Sequence, residues 1–296
     1  MMEIRVLRYF LTVVREGSIT KAADVLHITQ PTLSRQLAQM EVDMGVKLFD
    51  RGTRKIVLTN EGLLLERRAE EILALVDKTE KELIEQDENI EGTVSIGCGD
   101  LRAVQLLTEF MGRFHEMFPD VSFELYTANA DHISEQMERG LIDIGILLEP
   151  INMEKFDFIR LKQKEQWVVV MPPDSPLAKQ ESVTASDLVH VPLILPCRLS
   201  VRSELASWFG DVFDKLNVPY ASNLPANSSL MVYNKLAYAI IVSGSLSLWD
   251  SEKIVCRPLY PELTASSVVA WKRKQPFGLA ASKFIEYIKK EISALE

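Results

Sequence analysis

Apolar residues recur every three or four positions through the first 45 residues, which is the spacing of amphipathic helices. The first predicted helix carries its apolar face on Leu7, Phe10, Leu11 and Val14. Gly17 is a natural C-terminal stop for this helix, and Ser18 is suited to cap a second one. A third helix is predicted to begin near Thr29. Pro31 is tolerated there because proline lacks a backbone N–H, and the N–H groups in the first turn of a helix have no partner within the helix.

The third predicted helix has one apolar face and one polar face. The apolar face, at steps of four, three and four, consists of Leu33, Leu37, Met40 and Met44. The polar face carries small residues and one arginine, namely Thr29, Gln30, Pro31, Thr32, Ser34, Arg35 and Gln39. Two helices with a short connection, the second of which presents such a face, are what a helix-turn-helix requires. We therefore expect the polar face to contact base edges in DNA.

Two short strand-like runs, VKLFD and KIVL, follow Gly45 and predict a β-hairpin, or wing. Its tip places Arg51, Arg54 and Lys55 close together. Three cations at a hairpin tip are suited to bind phosphates or a narrow minor groove.

Residues 61–91 form an acidic, strongly helical segment with eleven acids and four bases. A heptad stripe alternates steps of four and three through Leu65, Ala69, Ile72, Val76, Thr79, Leu83, Gln86 and Ile90. One interpretation is a helix packed against its own domain. Pairing with a second subunit is favoured, because the surrounding charges leave only a narrow stripe to bury. The predicted dimer contacts are Leu65, Ala69, Ile72, Val76, Leu83 and Ile90, with the strongest pairing in the first half.

Past Gly92, strands alternate with helices, which is typical of a parallel sheet built from βαβ units. The predicted strands are residues 93–98, 121–126, 142–148, 167–171, 191–195, 238–242 and 266–271. The predicted helices are residues 106–114, 132–139, 203–216, 228–234 and 279–292. This rhythm indicates two successive α/β lobes, which bind small ligands beyond the carboxyl ends of their strands.

Charge is informative only when it is divided along the chain. The whole sequence carries a formal net charge of −9, but its first 60 residues hold nine Lys or Arg and six Asp or Glu. That segment is therefore +3, and −12 belongs to the rest. An acidic total is no objection to DNA binding, because acidity elsewhere repels DNA from every surface except the intended one.

The composition excludes several classes of protein. A length of 296 residues predicts two or three domains, and the sequence lacks a signal peptide and an apolar run of membrane-spanning length, so we expect a cytoplasmic protein. Cys98, Cys197 and Cys256 lack the spacing of a disulfide framework or a zinc site, so neither metal nor cofactor is expected. Redox sensing by Cys98 or Cys197 is an alternative, although inert buried cysteine is commoner.

Catalytic motifs are missing from the sequence. It contains no GxSxG, P-loop or HExxH, and no GxGxxG at a strand-to-helix turn. No spacing supports a catalytic set of Cys98, Asp100 and His132. An enzyme is therefore not expected, and a binding protein without a DNA role is contradicted by the first 60 residues.

The stretch YFLTVVREGSITKAADVLHITQPTLSRQLAQMEVDMGVKLFDR, followed by LTNEG, resembles the LysR-type transcriptional regulators. The resemblance implies a multidomain protein: an all-α winged helix-turn-helix plus linker helix, followed by a two-lobed α/β effector domain similar to periplasmic binding proteins. It implies DNA contacts at Gln30, Pro31, Ser34 and Arg35, and at Arg51 and Arg54 of the wing. The wing reads RGTRK where the family more often has an RTGRR-like order.

The resemblance also implies where an effector binds, at the turns after the first strand and after VPLIL and near the end of the third strand. The corresponding residues are Cys98, Gly99, Asp100, Leu101, Thr127, Leu147, Cys197, Arg198, Leu199 and Ser200. Asp100 and Arg198 either hold a zwitterion across the cleft or pair with each other. Residues 234–237 replace a glycine-containing turn of the family, which predicts a narrower pocket.

These inferences together predict a sequence-specific transcriptional regulator whose promoter binding is modulated by a small-molecule effector held between the lobes. Its expected partners are double-stranded promoter DNA, the effector, RNA polymerase and further copies of itself, as a dimer or a dimer of dimers. The predicted domains are residues 1–60, 61–91 and 92–296. Within the last, lobe I covers about 92–162 and 268–296, and lobe II about 163–267.

Overall fold

The computed structural model describes residues 3–50, 56–84, 90–246 and 249–294. It divides the chain into two compact units, Met1–Ile84 and Glu85–Glu296. The predicted wing-tip residues Arg51, Arg54 and Lys55 lie outside the described residues, as do Gln86 and the side chain of Leu83.

The first unit contains the three predicted helices, a short hairpin and a long helix. Its elements are α1 (Ile4–Glu16), α2 (Ile19–Val25), α3 (Gln30–Met44), β1 (Phe49–Asp50), β2 (Val57–Leu58) and α4 (Asn60–Ile84). Gly17 and Gly45 end α1 and α3 with φ of 63° and 68°, in the left-handed region that favours glycine. Ser18 caps α2 by accepting the N–H of Lys21.

Glu41 is buried in the last turn of α3, whereas the sequence predicted that Met44 would be the buried residue there. Met44 is exposed, because the chain turns back at Gly45 and covers the opposite side of the helix end. The Glu41 carboxylate accepts the N–H groups of Leu48 at 2.8 Å and Phe49 at 3.3 Å. The ammonium of Lys47 lies 3.3 Å from it. Glu41 thereby fastens the start of the hairpin to the third helix.

The first half of α4 packs against its own domain. Leu65, Ala69 and Leu73 are buried in the same core as Leu7 and Phe10 of α1. This corrects the expectation that Leu65 and Ala69 face a second subunit, since both side chains are already covered within the chain. Different side chains of α4, Leu64 and Leu75 among them, are exposed instead.

The second unit alternates strands and helices. Its strands are β3 (Gly92–Cys98), β4 (Val121–Thr127), β5 (Ile144–Leu148), β6 (Phe156–Met171), β7 (Val183–Thr184), β8 (Pro192–Pro196), β9 (Asn217–Ser222), β10 (Tyr238–Val242), β11 (Val255–Tyr260) and β12 (Thr264–Lys272). Its α-helices are α5 (Ala103–Met117), α6 (Ala130–Glu138), α7 (Leu199–Phe209), α8 (Pro225–Tyr233) and α9 (Leu279–Ala294).

The sheet runs in the order β4-β3-β5-β12-β6-β10-β8-β9. Residues 156–166 of β6 pair with β12, and residues 167–171 pair with β10 and β11. One strand thus belongs to two lobes: lobe I, with β3, β4, β5 and β12, and lobe II, with β7 to β11. Apolar side chains from both lobes form one continuous core.

The sheet is mixed rather than parallel. The parallel prediction holds for β3 with β4 and β5, and for β8 with β9 and β10. It is wrong for β6 and β12, which run antiparallel to each other and to their other neighbours. The physical reason is that the chain enters lobe II along β6 and returns to lobe I at β12. These two neighbouring strands therefore run in opposite directions.

Glu41→Gln is expected to loosen the junction between α3 and the hairpin. Burial acts to raise the pKa of Glu41, but hydrogen bonds from Leu48, Phe49 and Lys47 outweigh it, and the pKa lies below its usual value of 4.5. The charge therefore stabilises the folded state above about pH 4.5, and this stabilisation is lost as the pH falls through the lowered pKa. In hydrogen-exchange mass spectrometry near neutral pH, Leu48 and Phe49 should exchange about tenfold faster in Glu41→Gln.

Asp43→Asn is the matched control, because it removes an exposed carboxylate from the same helix. Its exchange at Leu48 and Phe49 should equal that of the wild type. Equal exchange in Glu41→Gln would show that Glu41 does not fasten the hairpin.

Candidate functional site

The polar face of α3 is presented to solvent as the sequence predicted. Ser34 is half-buried, and the remaining predicted residues are exposed, namely Thr29, Gln30, Pro31, Thr32, Arg35 and Gln39. The connection to α2 is tight because His27 adopts a left-handed backbone conformation with φ of 54°. This geometry places the first two turns of α3 at the surface of the first unit.

Three predicted contact residues, Thr29, Thr32 and Gln39, form hydrogen bonds with neighbours on or next to α3. The Thr29 and Thr32 hydroxyls share a hydrogen bond of 2.8 Å, so Thr29 does not cap α3 with its side chain. The Gln39 amide donates to Asp43 at 2.7 Å. Arg35 makes no ion pair with the residues that the structure describes, so its guanidinium is available to guanine or phosphate.

A cavity of about 90 Å³ lies between the two lobes of the second unit. It forms where β3, β4, β5, β8 and β9 reach their carboxyl ends, as expected for α/β lobes. Five of the residues predicted to touch an effector line it, namely Gly99, Asp100, Leu101, Cys197 and Arg198. An adjoining open depression is lined by Leu199 and Ser200.

Three predicted effector residues line neither the cavity nor the depression. Leu147 is buried on the opposite face of β5 from Ile146 and Leu148, because successive side chains of a strand point to opposite faces. Thr127 ends β4 with an exposed side chain, and Cys98 is packed into the core. These three positions were assigned by resemblance alone, which fixes a strand end but not the face of each side chain.

Arg198 crosses from lobe II to lobe I. Its side chain, only 8% exposed, donates from Nε to Asp131 at 3.0 Å, from Nη1 to the Leu148 carbonyl at 3.0 Å and from Nη2 to the Pro150 carbonyl at 2.7 Å. Arg198 therefore pairs with Asp131 rather than with Asp100. Three of its five N–H donors are engaged by lobe I, and its ionic partner is Asp131, which weakens the interpretation that Arg198 and Asp100 together hold a zwitterion.

Glu165 makes a second connection between the lobes. Its carboxylate accepts the N–H of Arg102 in lobe I at 2.6 Å and the N–H of Gly244 in lobe II at 3.2 Å. Burial raises the pKa of Glu165, and hydrogen bonds from backbone N–H groups together with the charge of Arg102 only partly oppose that rise. A Cβ atom on Gly244 would lie 2.2 Å from the Arg102 nitrogen, so this approach of the lobes requires glycine.

Several residues that line the cavity were not identified from the sequence. They include Asn129, Ile146, Trp167, Val201, Ser228 and Ile240. Asn129 carried a recognisable signal, since it precedes the predicted sixth helix and its side chain caps α6. Trp167 carried none, because a tryptophan at the start of an apolar run is typical of any buried strand.

The cysteines are free thiols in different surroundings. Burial first, and then the carboxylate of Asp100, raise the pKa of the Cys98 thiol. A raised pKa lowers the thiolate fraction on which oxidation depends. This environment disfavours redox sensing at Cys98.

The described ranges also bear on metal binding and on membrane spans. There, no cluster of three or more His, Cys, Asp or Glu side chains is arranged to hold a metal ion. Nor does any helix among those residues combine the length and the apolar character needed to cross a membrane.

Comparison with known protein families covers both units. A family described as "Bacterial regulatory helix-turn-helix protein, lysR family" matches residues 4–63. A family described as "LysR substrate binding domain" matches residues 87–293. The second match alone spans more than half of the chain.

Curated relatives match along the whole length. The uncharacterized HTH-type transcriptional regulator YvbU of Bacillus subtilis (strain 168) is 29% identical over 99% of this chain and 100% of its own length. The Hca operon transcriptional activator HcaR of Escherichia coli (strain K12) is 26% identical over 99% of both.

Solved structures share the fold. Full-length CbnR complexed with target DNA has a TM-score of 0.75 at 20% identity, over 98% of this chain and 99% of CbnR. Full-length BenM has a TM-score of 0.54 at 25% identity, over 99% of this chain and 96% of BenM. The fold class predicted from the sequence is confirmed.

The first unit, the long helix and the mixed α/β domain thus agree with both family matches and with the structural likenesses. The chain belongs to the LysR-type transcriptional regulators, which are DNA-binding regulators with an effector-binding domain and not enzymes.

Proposed function

We propose that α3 recognises a specific promoter sequence and that a small effector in the cavity between the lobes modulates this binding. The observation that carries the proposal is the position of Arg198, which lines the cavity and also connects the lobes. A molecule that enters the cavity meets a residue on which the lobe geometry depends. Binding can therefore change how the lobes are held.

The DNA contacts proposed for α3 follow from its exposed face. Arg35 and Gln30 are placed to bind base edges, and Thr32 and Ser34 to contact bases or phosphates. To contact DNA, Thr29 and Gln39 would first break their hydrogen bonds to Thr32 and Asp43 and replace them with bonds to the DNA. The wing residues Arg51, Arg54 and Lys55 are proposed to bind phosphates or the minor groove. In support, the fold is that of CbnR, which was crystallised with its target DNA.

A dimer is proposed because one copy of this unit offers few phosphate contacts. Since Leu65 and Ala69 are covered by α1, we place the dimer contact on a neighbouring face of α4. Leu64 and Leu75 are exposed there, and the half-buried Ile72 lies between that face and the covered one. Val76, half-buried further along the face of Leu65 and Ala69, remains a proposed contact. Leu83 and Ile90 remain proposed contacts further along the chain. Two such dimers would form a tetramer on an extended promoter.

The proposed mechanism begins with the effector, which closes or rotates the lobes and so alters the placement of subunits in the oligomer. The spacing of the DNA-binding units and the bend of the promoter then change. RNA polymerase is the proposed partner that responds to this change. Because all of these partners meet on the chromosome, the protein is proposed to act in the cytoplasm.

Arg35→Ala should weaken specific DNA binding more than non-specific binding. A bidentate contact to guanine contributes about 1–3 kcal/mol to discrimination, so affinity for the specific site should fall roughly 10- to 100-fold. Binding is measured by titration on an operator that the wild-type protein selects from random DNA, with unrelated DNA in parallel. Arg15→Ala, which removes the same charge from an exposed position on α1, should change both affinities alike. A proportional loss in Arg35→Ala would exclude base recognition by Arg35.

Leu75→Glu should disrupt the proposed dimer without unfolding the first unit, because Leu75 is 44% exposed within the chain. Placing a charge at the centre of an apolar contact should raise the dissociation constant of the dimer by about tenfold or more, as measured by sedimentation. Leu230→Glu introduces the same change at an exposed position on α8 and should leave that constant unaltered. A Leu75→Glu dimer of wild-type affinity would remove α4 from the interface.

Arg198→Ala should alter the DNA footprint in the absence of any effector. The substitution leaves Asp131 and two carbonyl groups of lobe I without their partner, so the lobes are no longer held together at this point. Footprints are compared on the selected operator at equal occupancy. Arg202→Ala, on the next turn of α7, is the matched control and should keep the wild-type pattern. An unchanged footprint in a folded Arg198→Ala protein would contradict the proposed coupling.

A further inference from the structure

Glu165 of β6 satisfies the start of α5, a helix whose own N-cap residue does not. The side chain of Arg102, which precedes α5, accepts no backbone hydrogen bond, so the first N–H groups need another acceptor. The Glu165 carboxylate, only 2% exposed, supplies it. Its Oε1 accepts the Arg102 N–H at 2.6 Å, and the N–H of Ala103 acts on the same carboxylate. A negative charge at this position also suits the helix dipole.

The other oxygen of Glu165 holds lobe II through a longer bond. Oε2 accepts the N–H of Gly244 at 3.2 Å. Gly244 lies in the short 3₁₀ turn Ser243–Leu246, which follows β10. The Arg102 guanidinium also lies 3.5 Å from the Ser243 hydroxyl, but this contact is exposed and at the limit of a hydrogen bond. The attachment of lobe II at this point therefore depends mainly on one carboxylate oxygen.

Both lobes line the cavity immediately before they reach Glu165. Residues 99–101 line it from lobe I and are followed by Arg102. Residues 240–242 line it from lobe II and lead into the turn that contains Gly244. Glu165 itself does not line the cavity. Separation of Gly244 from Arg102 would therefore move two walls of the cavity apart.

The surroundings of Glu165 favour uptake of a proton. On the α5 side the charged residues are Asp100 and Arg102, and the charge of Arg102 acts to lower the pKa of Glu165. The turn Ser243–Leu246 and the facing residues 264–266 of β12 contain no titratable side chain, and Lys164 points to the opposite, exposed face of β6. Burial is the largest influence and raises the pKa above its usual value of 4.5. Glu165 therefore takes up its proton in milder acid than an exposed glutamate.

A proton on Glu165 can occupy only one of its two oxygens. The protonated oxygen becomes a donor, whereas the other oxygen continues to accept. Oε1 has the shorter bond, to the N–H of Arg102, so the proton is favoured on Oε2, which faces Gly244. Protonation thus replaces an acceptor by a donor opposite the Gly244 N–H, and the bond to lobe II is lost.

We propose that Glu165 is a proton-operated latch on the cavity between the lobes. When ionised, it holds Gly244 against the start of α5. When protonated on Oε2, it keeps Arg102 and releases Gly244, and the cavity widens. The inference rests on the proposed function, in which this cavity receives the effector, and it adds that retention of the effector depends on pH. Glu165 is thus a positioning residue, which acts through Gly244 rather than by touching a ligand.

The test follows the proton and the Gly244 amide in the full-length protein. In protein labelled with [δ-¹³C]glutamate, the carboxyl resonance of Glu165 reports its ionisation and is the one that disappears in Glu165→Gln. Hydrogen exchange with single-residue fragmentation gives the protection of Arg102 and Gly244, relative to the intrinsic rate at each pH. Both quantities are measured from about pH 8 down to pH 4.5.

On acidification of the wild type, Gly244 should lose about tenfold in protection, with the midpoint at which Glu165 takes up its proton, whereas Arg102 should stay protected. Glu165→Gln carries an NH₂ group in place of one oxygen, so its Gly244 should be weakly protected at every pH. Glu262→Gln is the matched control, because it removes an exposed carboxylate that bonds Gln166, the neighbour of Glu165. It should keep the wild-type profile. Should Glu165→Gln fail to fold, Glu165→Asp identifies the resonance, and the two midpoints in the wild type decide the question.

Protection of Gly244 that does not follow the titration of Glu165 would overturn the inference. So would loss of Arg102 protection at the same midpoint, or the absence of proton uptake by Glu165 above pH 4.5. Failure of the proposed function has a different signature. If Glu165→Gln releases Gly244 but leaves the operator footprint at neutral pH unchanged, the latch is supported and the proposed coupling to DNA is contradicted.

Discussion

The sixteen-residue strand β6 is the constraint on which the second unit depends. Its first part is hydrogen-bonded to β12 in lobe I, and its last five residues are hydrogen-bonded between β10 and β11 in lobe II. Both lobes are therefore built on one continuous backbone. Arg198 and Glu165 add two polar connections across the same passage, so the space between the lobes is defined by backbone pairing and by two buried charged groups.

The sequence predicted this architecture where local pattern determines structure. The helical stripes, the glycine stops at Gly17 and Gly45 and the strands that follow residue 92 all reflect local periodicity, which a linear pattern records directly. Met44 and Glu41 show the limit, because their burial depends on the chain that folds back after Gly45. The heptad stripe of α4 shows it again, since a pattern states that Leu65 is buried but not which surface covers it.

The sequence predicted where the candidate site lies, but not which of its side chains contact one another. The carboxyl ends of parallel strands located the cleft, and Asp100 and Arg198 do line it. The ion pair between Arg198 and Asp131 could not be foreseen, because these residues meet only through the arrangement of α6 and β5 in three dimensions. Trp167, which lines the same cavity, was not identified because a tryptophan at the start of an apolar run is typical of any buried strand.

The contact between Gly244 and the Arg102 nitrogen has a consequence for how such regulators vary. At that point the two lobes approach so closely that even a methyl group collides with main-chain atoms. A side chain at Gly244 has room only if the lobes separate at this point, whether or not the cavity holds a ligand. A genetic selection for effector-independent variants would therefore recover substitutions at this glycine, while natural drift in specificity would leave it untouched.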